Sequence, residues 1–93
     1  MTVKEFLRIF KNQKIKPIAI CKDDFNISIQ NSENYACDEK SVELGYPSNS
    51  IPELSKYSKY NGTIFNFVPL DEAEKLIQKH GGIEFVDYQY KGQ

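Results

Sequence analysis

Three side chains of this sequence have the chemistry of a catalytic nucleophile or base: Cys21, Cys37 and His80. A Cys–His pair performs nucleophilic catalysis when the two groups lie within hydrogen-bond reach. His80 stands in Lys-His-Gly-Gly at the predicted end of a helix, where the partial negative charge of the helix terminus favours a cation. That structural role accounts for His80 without a reaction, and the spacing favours neither cysteine as its partner. We therefore expect no active site and no catalytic residues. A small thiol or histidine enzyme is the weakest of three functional hypotheses.

The sequence favours neither a metal site nor a phosphate site. Cys21 and Cys37 are not part of a Cys-X-X-Cys motif, and the chain has one histidine, whereas structural zinc takes four Cys or His ligands. Asp23 and Asp24 lack the surrounding pattern of a calcium loop. The glycine pair at 81–82 follows a predicted helix, which is the reverse of the order in a phosphate-binding loop. We expect no metal and no cofactor.

Charge is distributed unevenly along the chain, although the formal net charge is only −1. Residues 1–22 carry six basic groups and one acid, and residues 23–53 carry seven acids and one lysine. The basic groups that a phosphate backbone would contact are Lys4, Arg8, Lys11, Lys14 and Lys16. Base readout favours arginine, and the chain has one. A solvated helix face is the simpler interpretation, and a nucleic-acid-binding module that uses helix 1 is the second hypothesis.

Tyrosines form the most suggestive pattern. Tyr57 and Tyr60 are predicted to lie on one side of a helix, and Tyr46 stands in a polar turn. Tyrosine is enriched at interface hot spots, because it brings a large contact area. Asp38 and Glu39 would present negative charge to a basic partner. The leading hypothesis is a non-enzymatic binding protein that contacts another protein through these five residues, and inhibition of a host protein is one form of this hypothesis. The alternative is that the tyrosines cap the edge of the core with their hydroxyl groups in water.

The elements that position these residues begin with a helix and a hairpin. Thr2 and Glu5 predict a capping box, followed by an apolar stripe at helical spacing. Residues 16–30 alternate as a β-hairpin, with a two-residue turn at 23–24 that would place Ile20 opposite Ile27.

The second half predicts two further strand and helix pairs. Residues 41–44 form a short strand, and Ser50 and Glu53 predict a capping box that opens a short helix. Residues 63–68 form a strand with Phe65 and Phe67 on one face. A helix then runs to a glycine C-cap at 81–82, and a last strand covers 83–90.

These elements predict one α+β domain over residues 1–93. We expect a small mixed sheet (N-terminal helix, β-hairpin, short strand and helix, C-terminal β-α-β) with the helices on one face. If the last two strands are parallel neighbours, their crossover should be right-handed. No apolar run approaches the roughly 20 residues that span a bilayer. The first fifteen residues lack the apolar stretch of a signal peptide, so we expect a cytoplasmic protein without a membrane partner.

Two stretches carry a resemblance to known proteins. Residues 41–54, SVELGYPSNSIPEL, and residues 68–83, VPLDEAEKLIQKHGGI, together with the start MTVKEFL, resemble small uncharacterised proteins carried by phages and mobile elements of low-GC Gram-positive bacteria. The shared motifs are helix caps and turns, and they bring no catalytic residues with them. The resemblance implies an accessory protein, often one that binds a host or phage macromolecule.

Overall fold

A computed structural model of the chain describes residues 1–10, 15–32, 37–59 and 61–90, with the backbone alone at 15, 16 and 88–90. The α+β class predicted from the sequence is confirmed. In chain order the elements are α1 (Val3–Phe10), β1 (Ile15–Cys21), β2 (Asn26–Gln30), β3 (Ser41–Gly45), a 3-10 helix (Pro52–Tyr57), β4 (Ser58–Lys59), β5 (Ile64–Pro69), α2 (Leu70–Lys79) and β6 (Ile83–Tyr90).

The strands form one six-stranded sheet in the order β4-β5-β3-β2-β1-β6, and every neighbouring pair is antiparallel. The expected mixed sheet is therefore wrong, because β6 pairs with the free edge of β1 rather than beside β5. The predicted strand–helix–strand unit is present along the chain. Three strands separate β5 from β6, so they are not the parallel neighbours on which the predicted right-handed crossover was conditional.

The helices pack on one face of the sheet, as predicted. Val3 and Phe6 of α1 meet Ala73, Leu76 and Ile77 of α2 in a single buried cluster. The strands contribute Ala19, Cys21, Ile27, Ile29, Val42, Leu44, Phe65, Val68 and Ile83 to the same cluster. Burial of this apolar surface is the main source of stability for a domain of this size.

The start of α1 is capped twice. The predicted capping box is confirmed: the Glu5 amide donates to Thr2 Oγ1 at 3.1 Å, and the Thr2 amide donates to Glu5 Oε1 at 2.9 Å. Hydrogen bonding from the Thr2 backbone lowers the pKa of Glu5. A second cap comes from α2, where the Glu74 carboxylate accepts the amides of Val3 at 2.8 Å and Lys4 at 3.3 Å. Unpaired amides at the start of one helix are thus satisfied by the other helix.

The β1–β2 hairpin is confirmed, but its predicted register is wrong by one residue. Ala19 pairs with Ile27, and the loop has three residues, 22–24. Asp24 takes the left-handed backbone conformation at φ 73, which is typical of a three-residue hairpin loop. A one-residue slip exchanges the faces of a strand, so Ala19 is buried and Ile20 is half-buried on the other side.

A bulge in β5 separates its two phenylalanines. The pairing of β3 with β5 shifts between Val42 and Leu44, and Phe67 adopts φ 51. Phe65 is 2% exposed while Phe67 is 52% exposed. The prediction that both rings share one face is wrong, because the extra residue in the bulge interrupts the alternation.

The middle helix departs from its predicted cap. The 3-10 helix follows Ile51, and no side-chain hydrogen bond caps it, so the predicted box of Ser50 and Glu53 is not formed. Pro52 does occupy its first turn, as expected. The backbone departs from helical geometry at Leu54 within the helix, and the chain enters β4 directly after Tyr57.

The C-terminal turn of α2 meets the hairpin loop. The Gly81 amide donates to Gln78 O and the Gly82 amide to Ile77 O, both at 3.0 Å, which confirms the predicted glycine C-cap. The Lys22 amide donates to Gly82 O at 3.1 Å. A Cβ atom added at Gly81 would lie 2.9 Å from the Cβ of Lys22, closer than real contacts allow.

Replacing Gly81 with alanine should destabilise the fold through both backbone strain and this contact. Gly62 offers a matched control, since it has φ +85 like the φ +90 of Gly81 but no atom within 4 Å of the added Cβ. We expect Gly81→Ala to lower the free energy of unfolding by about 1–3 kcal/mol more than Gly62→Ala does, measured by urea denaturation. Equal losses in the two variants would contradict the close packing of hairpin loop and helix end.

Candidate functional site

Tyr46 is a large aromatic residue held in an uncommon backbone conformation. It follows β3 directly, has φ 53, and its side chain is 56% exposed. Its amide donates to Thr63 O at 2.7 Å, which ties the end of β3 to the turn before β5. A bulky residue at positive φ is a genuine outlier that the surrounding structure must enforce, and such residues concentrate at functional sites.

Tyr57 differs from its predicted role. It is half-buried and packs against the core, and the Lys56 ammonium lies 5.3 Å from the centroid of its ring. The 3-10 helix ends at Tyr57, and Ser58 begins β4, so the helix ends earlier than predicted. Tyr60 lies outside the described residues, and the pairing of the two tyrosines on one face stays a prediction.

One of the two predicted acidic contact residues, Asp38, has a structural task in the turn before β3. Asp38 Oδ1 accepts the Lys40 amide at 2.9 Å and the Ser41 hydroxyl at 2.8 Å. The hydrogen bond from Ser41 is the main cause that lowers the pKa of Asp38. Both Asp38 and its exposed neighbour Glu39 precede β3, whereas Tyr46 follows it. The acidic pair and Tyr46 thus lie at opposite ends of β3, which is roughly 13 Å long.

The predicted basic strip is only partly placed. Lys4 and Arg8 are exposed on α1, one helical turn apart. Lys11 and Lys14 lie outside the described residues, and Lys16 is described by its backbone alone, in β1 opposite Gln89. The structure therefore places two of the five predicted cations on a common surface.

An open cleft of about 500 Å³ begins at Pro47, the residue after Tyr46, where the segment after β3 faces β4 and the turn before β5. Buried Ile51 and Phe65 belong both to its lining and to the core. The full lining is Pro47, Ser48, Asn49, Ser50, Ile51, Pro52, Ser55, Ser58, Asn61, Gly62 and Phe65. We call these eleven residues the 47–65 cleft. Its volume falls within the roughly 300–1,000 Å³ of ligand sites.

The 47–65 cleft is uncharged and rich in hydrogen-bonding groups. None of its eleven residues is ionisable, and six of them carry a hydroxyl or amide. Ser48 anchors one wall, because its hydroxyl accepts the Asn26 amide at 2.9 Å and its own amide donates to Asn26 O at 2.8 Å. The cleft is therefore fixed to the start of β2, and its chemistry suits neutral polar ligands.

His80 is engaged in a tertiary contact on the hairpin loop. Its Nδ1 lies 2.6 Å from Asp23 Oδ2, and its ring stacks on Phe25 with centroids 4.0 Å apart and planes 12° from parallel. The hydrogen bond with His80 is the largest cause that lowers the pKa of Asp23. The predicted position of His80 at a helix end is confirmed, and its pairing with Asp23 is additional.

The side chains that contact His80 in the hairpin are Asp23 and Phe25, and the surroundings of each cysteine differ from those of an activated thiol. Cys21 is 1% exposed, and burial raises the pKa of its thiol to about 11. A thiol in this state is a poor nucleophile at neutral pH. The Cys37 thiol donates to Ser32 O at 3.3 Å. Within the described ranges, no three His, Cys, Asp or Glu side chains are grouped to hold a metal ion.

Comparison with family models, curated proteins and solved structures finds no match for this chain. The resemblance to phage and mobile-element proteins therefore stays a prediction. No helix in the described part of the chain has the length and apolar character needed to cross a membrane.

Sequence reasoning missed the 47–65 cleft. Its signal was present in Pro-Ser-Asn-Ser-Ile-Pro, where two prolines enclose three small polar residues. Each proline restricts the backbone, and small polar side chains leave room between elements. The pattern does not reveal the opposite wall of the cleft, which is formed by Ser58, Asn61 and Gly62. Only the pairing of β3 with β5 brings that wall close to residues 47–52.

The contact of Asp23 with His80 should give stability a defined pH dependence. A carboxyl whose pKa is lowered by folding contributes stability above its unfolded pKa of about 4, and that stability is lost as the pH falls through the folded pKa. We expect wild type to exceed Asp23→Asn in unfolding free energy at pH 5–6, and the difference to shrink toward pH 2. Urea denaturation across this range measures it. Asp24→Asn removes the same charge from the same loop and should show a smaller dependence.

The burial of Cys21 predicts its reactivity. With iodoacetamide at pH 8, the native protein should be alkylated at Cys37 well before Cys21, and denaturation in urea should remove the difference. Mass spectrometry of the digested protein measures the extent of alkylation at each cysteine. Rapid alkylation of native Cys21 would contradict its raised pKa and reopen the hypothesis of a thiol enzyme.

Proposed function

We propose that this chain is a non-enzymatic binding protein that acts by contact with another protein, and that Tyr46 and the 47–65 cleft form its contact surface. The observation that carries the proposal is the position of Tyr46: an exposed tyrosine at φ 53, followed directly by Pro47, the first residue of an uncharged cleft. Tyrosine anchors and a core depleted of charge are the features that distinguish protein interfaces from ordinary surface.

Backbone rigidity supports this role for Tyr46. Its amide is bonded to Thr63, and Pro47 follows it, so its backbone is restricted on both sides. A rigid aromatic side chain loses little conformational freedom when a partner covers it, and that small loss favours affinity. Left-handed backbone at a non-glycine residue costs about 1–3 kcal/mol, a cost that a functional position can explain.

The partners of charged groups outside the cleft also support Tyr46 and the 47–65 cleft as the contact surface. Asp38 holds the turn before β3, and Glu53 bonds to Lys79 at 3.0 Å. Asp23 pairs with His80. Each of these charged groups already has a partner within the protein, so none of them requires a charged ligand. Asp38 therefore leaves the proposed contact surface because its carboxylate holds the turn, Glu39 leaves it because it precedes β3 whereas Tyr46 follows β3, and Tyr46 stays.

Site-specific cross-linking tests the proposal. Benzoylphenylalanine replaces Tyr46 in one protein and Phe85 in another, because Phe85 is 62% exposed on β6 and gives a matched aromatic control. Irradiation in cells that express the chain should yield a discrete protein adduct from position 46 and none from position 85. Adding Ser55→Glu inside the cleft should reduce the adduct severalfold, since an unpaired charge at an interface is costly.

Three outcomes would overturn the proposal. Equal adducts from the two positions would mean that exposure alone controls capture. Absence of an adduct at 46 would remove Tyr46 from any interface. An adduct that disappears with nuclease treatment would favour the nucleic-acid hypothesis, which also predicts salt-sensitive binding through Lys4 and Arg8.

A further inference from the structure

The 47–65 cleft combines an apolar base with unengaged polar groups. Ile51 and Phe65 are almost wholly buried beneath it. Within the described part of the chain, the hydroxyls of Ser50 and Ser55 and the amide of Asn61 form no side-chain hydrogen bond. Ser48 differs, since its hydroxyl also donates to Asn49 Oδ1 at 3.1 Å. Donor and acceptor capacity is therefore available along the cleft for a ligand.

The charge of the lining restricts what that ligand is. A charged group that enters a partly enclosed site loses hydration and needs a counter-charge. Charged residues make up 27% of the chain, yet none belongs to the eleven lining residues. Glu53 lies within the same segment but bonds outward to Lys79. Phosphate-rich and strongly basic or acidic ligands are therefore disfavoured.

The hydrogen-bonding groups complement a polypeptide main chain. An extended main chain presents amide donors and carbonyl acceptors in alternation. Serine hydroxyls both donate and accept, and the asparagine amide has two donors and an acceptor, so these side chains match such a ligand in either direction. A volume of about 500 Å³ accommodates a short segment rather than a folded surface.

We infer that the occupant of the 47–65 cleft is a short, extended and uncharged peptide segment of the partner protein. This inference rests on the proposed function and adds the chemical class of the contact. The apolar base takes one or two small apolar side chains of the segment. The hydroxyls and amides of the rim bond to its main chain.

Peptide titration of the full chain labelled with ¹⁵N tests the inference. The probes are two sets of eight-residue peptides, N-acetylated and C-amidated. One set is built from Ser, Thr, Asn, Gln, Val and Pro, and the other is identical apart from Asp or Lys at two central positions. The neutral set should shift backbone amides within residues 46–62 and leave those of 83–87 unchanged. The charged set should bind about tenfold more weakly or worse.

Paired variants locate the effect. Ser55→Glu places a charge in the cleft and should weaken binding of the neutral peptides about tenfold. Gln78→Glu adds the same charge on exposed α2 and should leave their binding unchanged. Equal binding of the two peptide sets, absence of shifts at 46–62, or no effect of Ser55→Glu would each overturn the inference. Urea denaturation of both variants verifies that they remain folded.

The two proposals fail in different ways. A cross-link at position 46 without peptide binding would mean that the partner docks with a folded surface, and only the inference would fall. Peptide binding at the cleft without any cross-link would show that Tyr46 is not part of the contact surface. The inference that the cleft binds an uncharged peptide would then still hold. Failure of both measurements overturns both.

Discussion

The contact between the last turn of α2 and the β1–β2 hairpin loop is the interaction on which the rest of the structure depends. His80 stacks on Phe25 and bonds to Asp23, and the Lys22 amide bonds to Gly82 at the point where the chain turns into β6. Here α2 ends against the turn that joins two central strands. The position of β6 beside β1 follows, because β6 begins within three residues of this contact.

Two further links run from this region toward the cleft. Asn26, next to Phe25, exchanges hydrogen bonds with Ser48, and Lys79, next to His80, bonds to Glu53. The segment after β3 is thus attached both to the hairpin and to α2. A small domain buries limited apolar surface, so specific polar contacts of this kind determine where an irregular segment lies. The resulting fixed segment forms one wall of the 47–65 cleft.

Local irregularities expose two of the large aromatic side chains. Tyr46 and Phe67 both have left-handed backbone, one at the end of β3 and the other in the bulge of β5. Regular alternation would have directed alternate residues into the core or away from it. A bulge or a left-handed residue changes that alternation at a single position. The surface that we propose for binding therefore begins at one of these irregular positions, Tyr46.

The sequence alone was sufficient for features whose hydrogen bonds join residues close along the chain. The Thr2 and Glu5 capping box and the glycine C-cap of α2 were predicted correctly because their partners lie within five residues. Only tertiary structure decided the hairpin register, the strand order, the pairing of His80 with Asp23 and the two walls of the cleft. Those features depend on which distant residues pack together. Local spacing leaves the alternatives nearly equal in energy, and burial of the whole core selects among them.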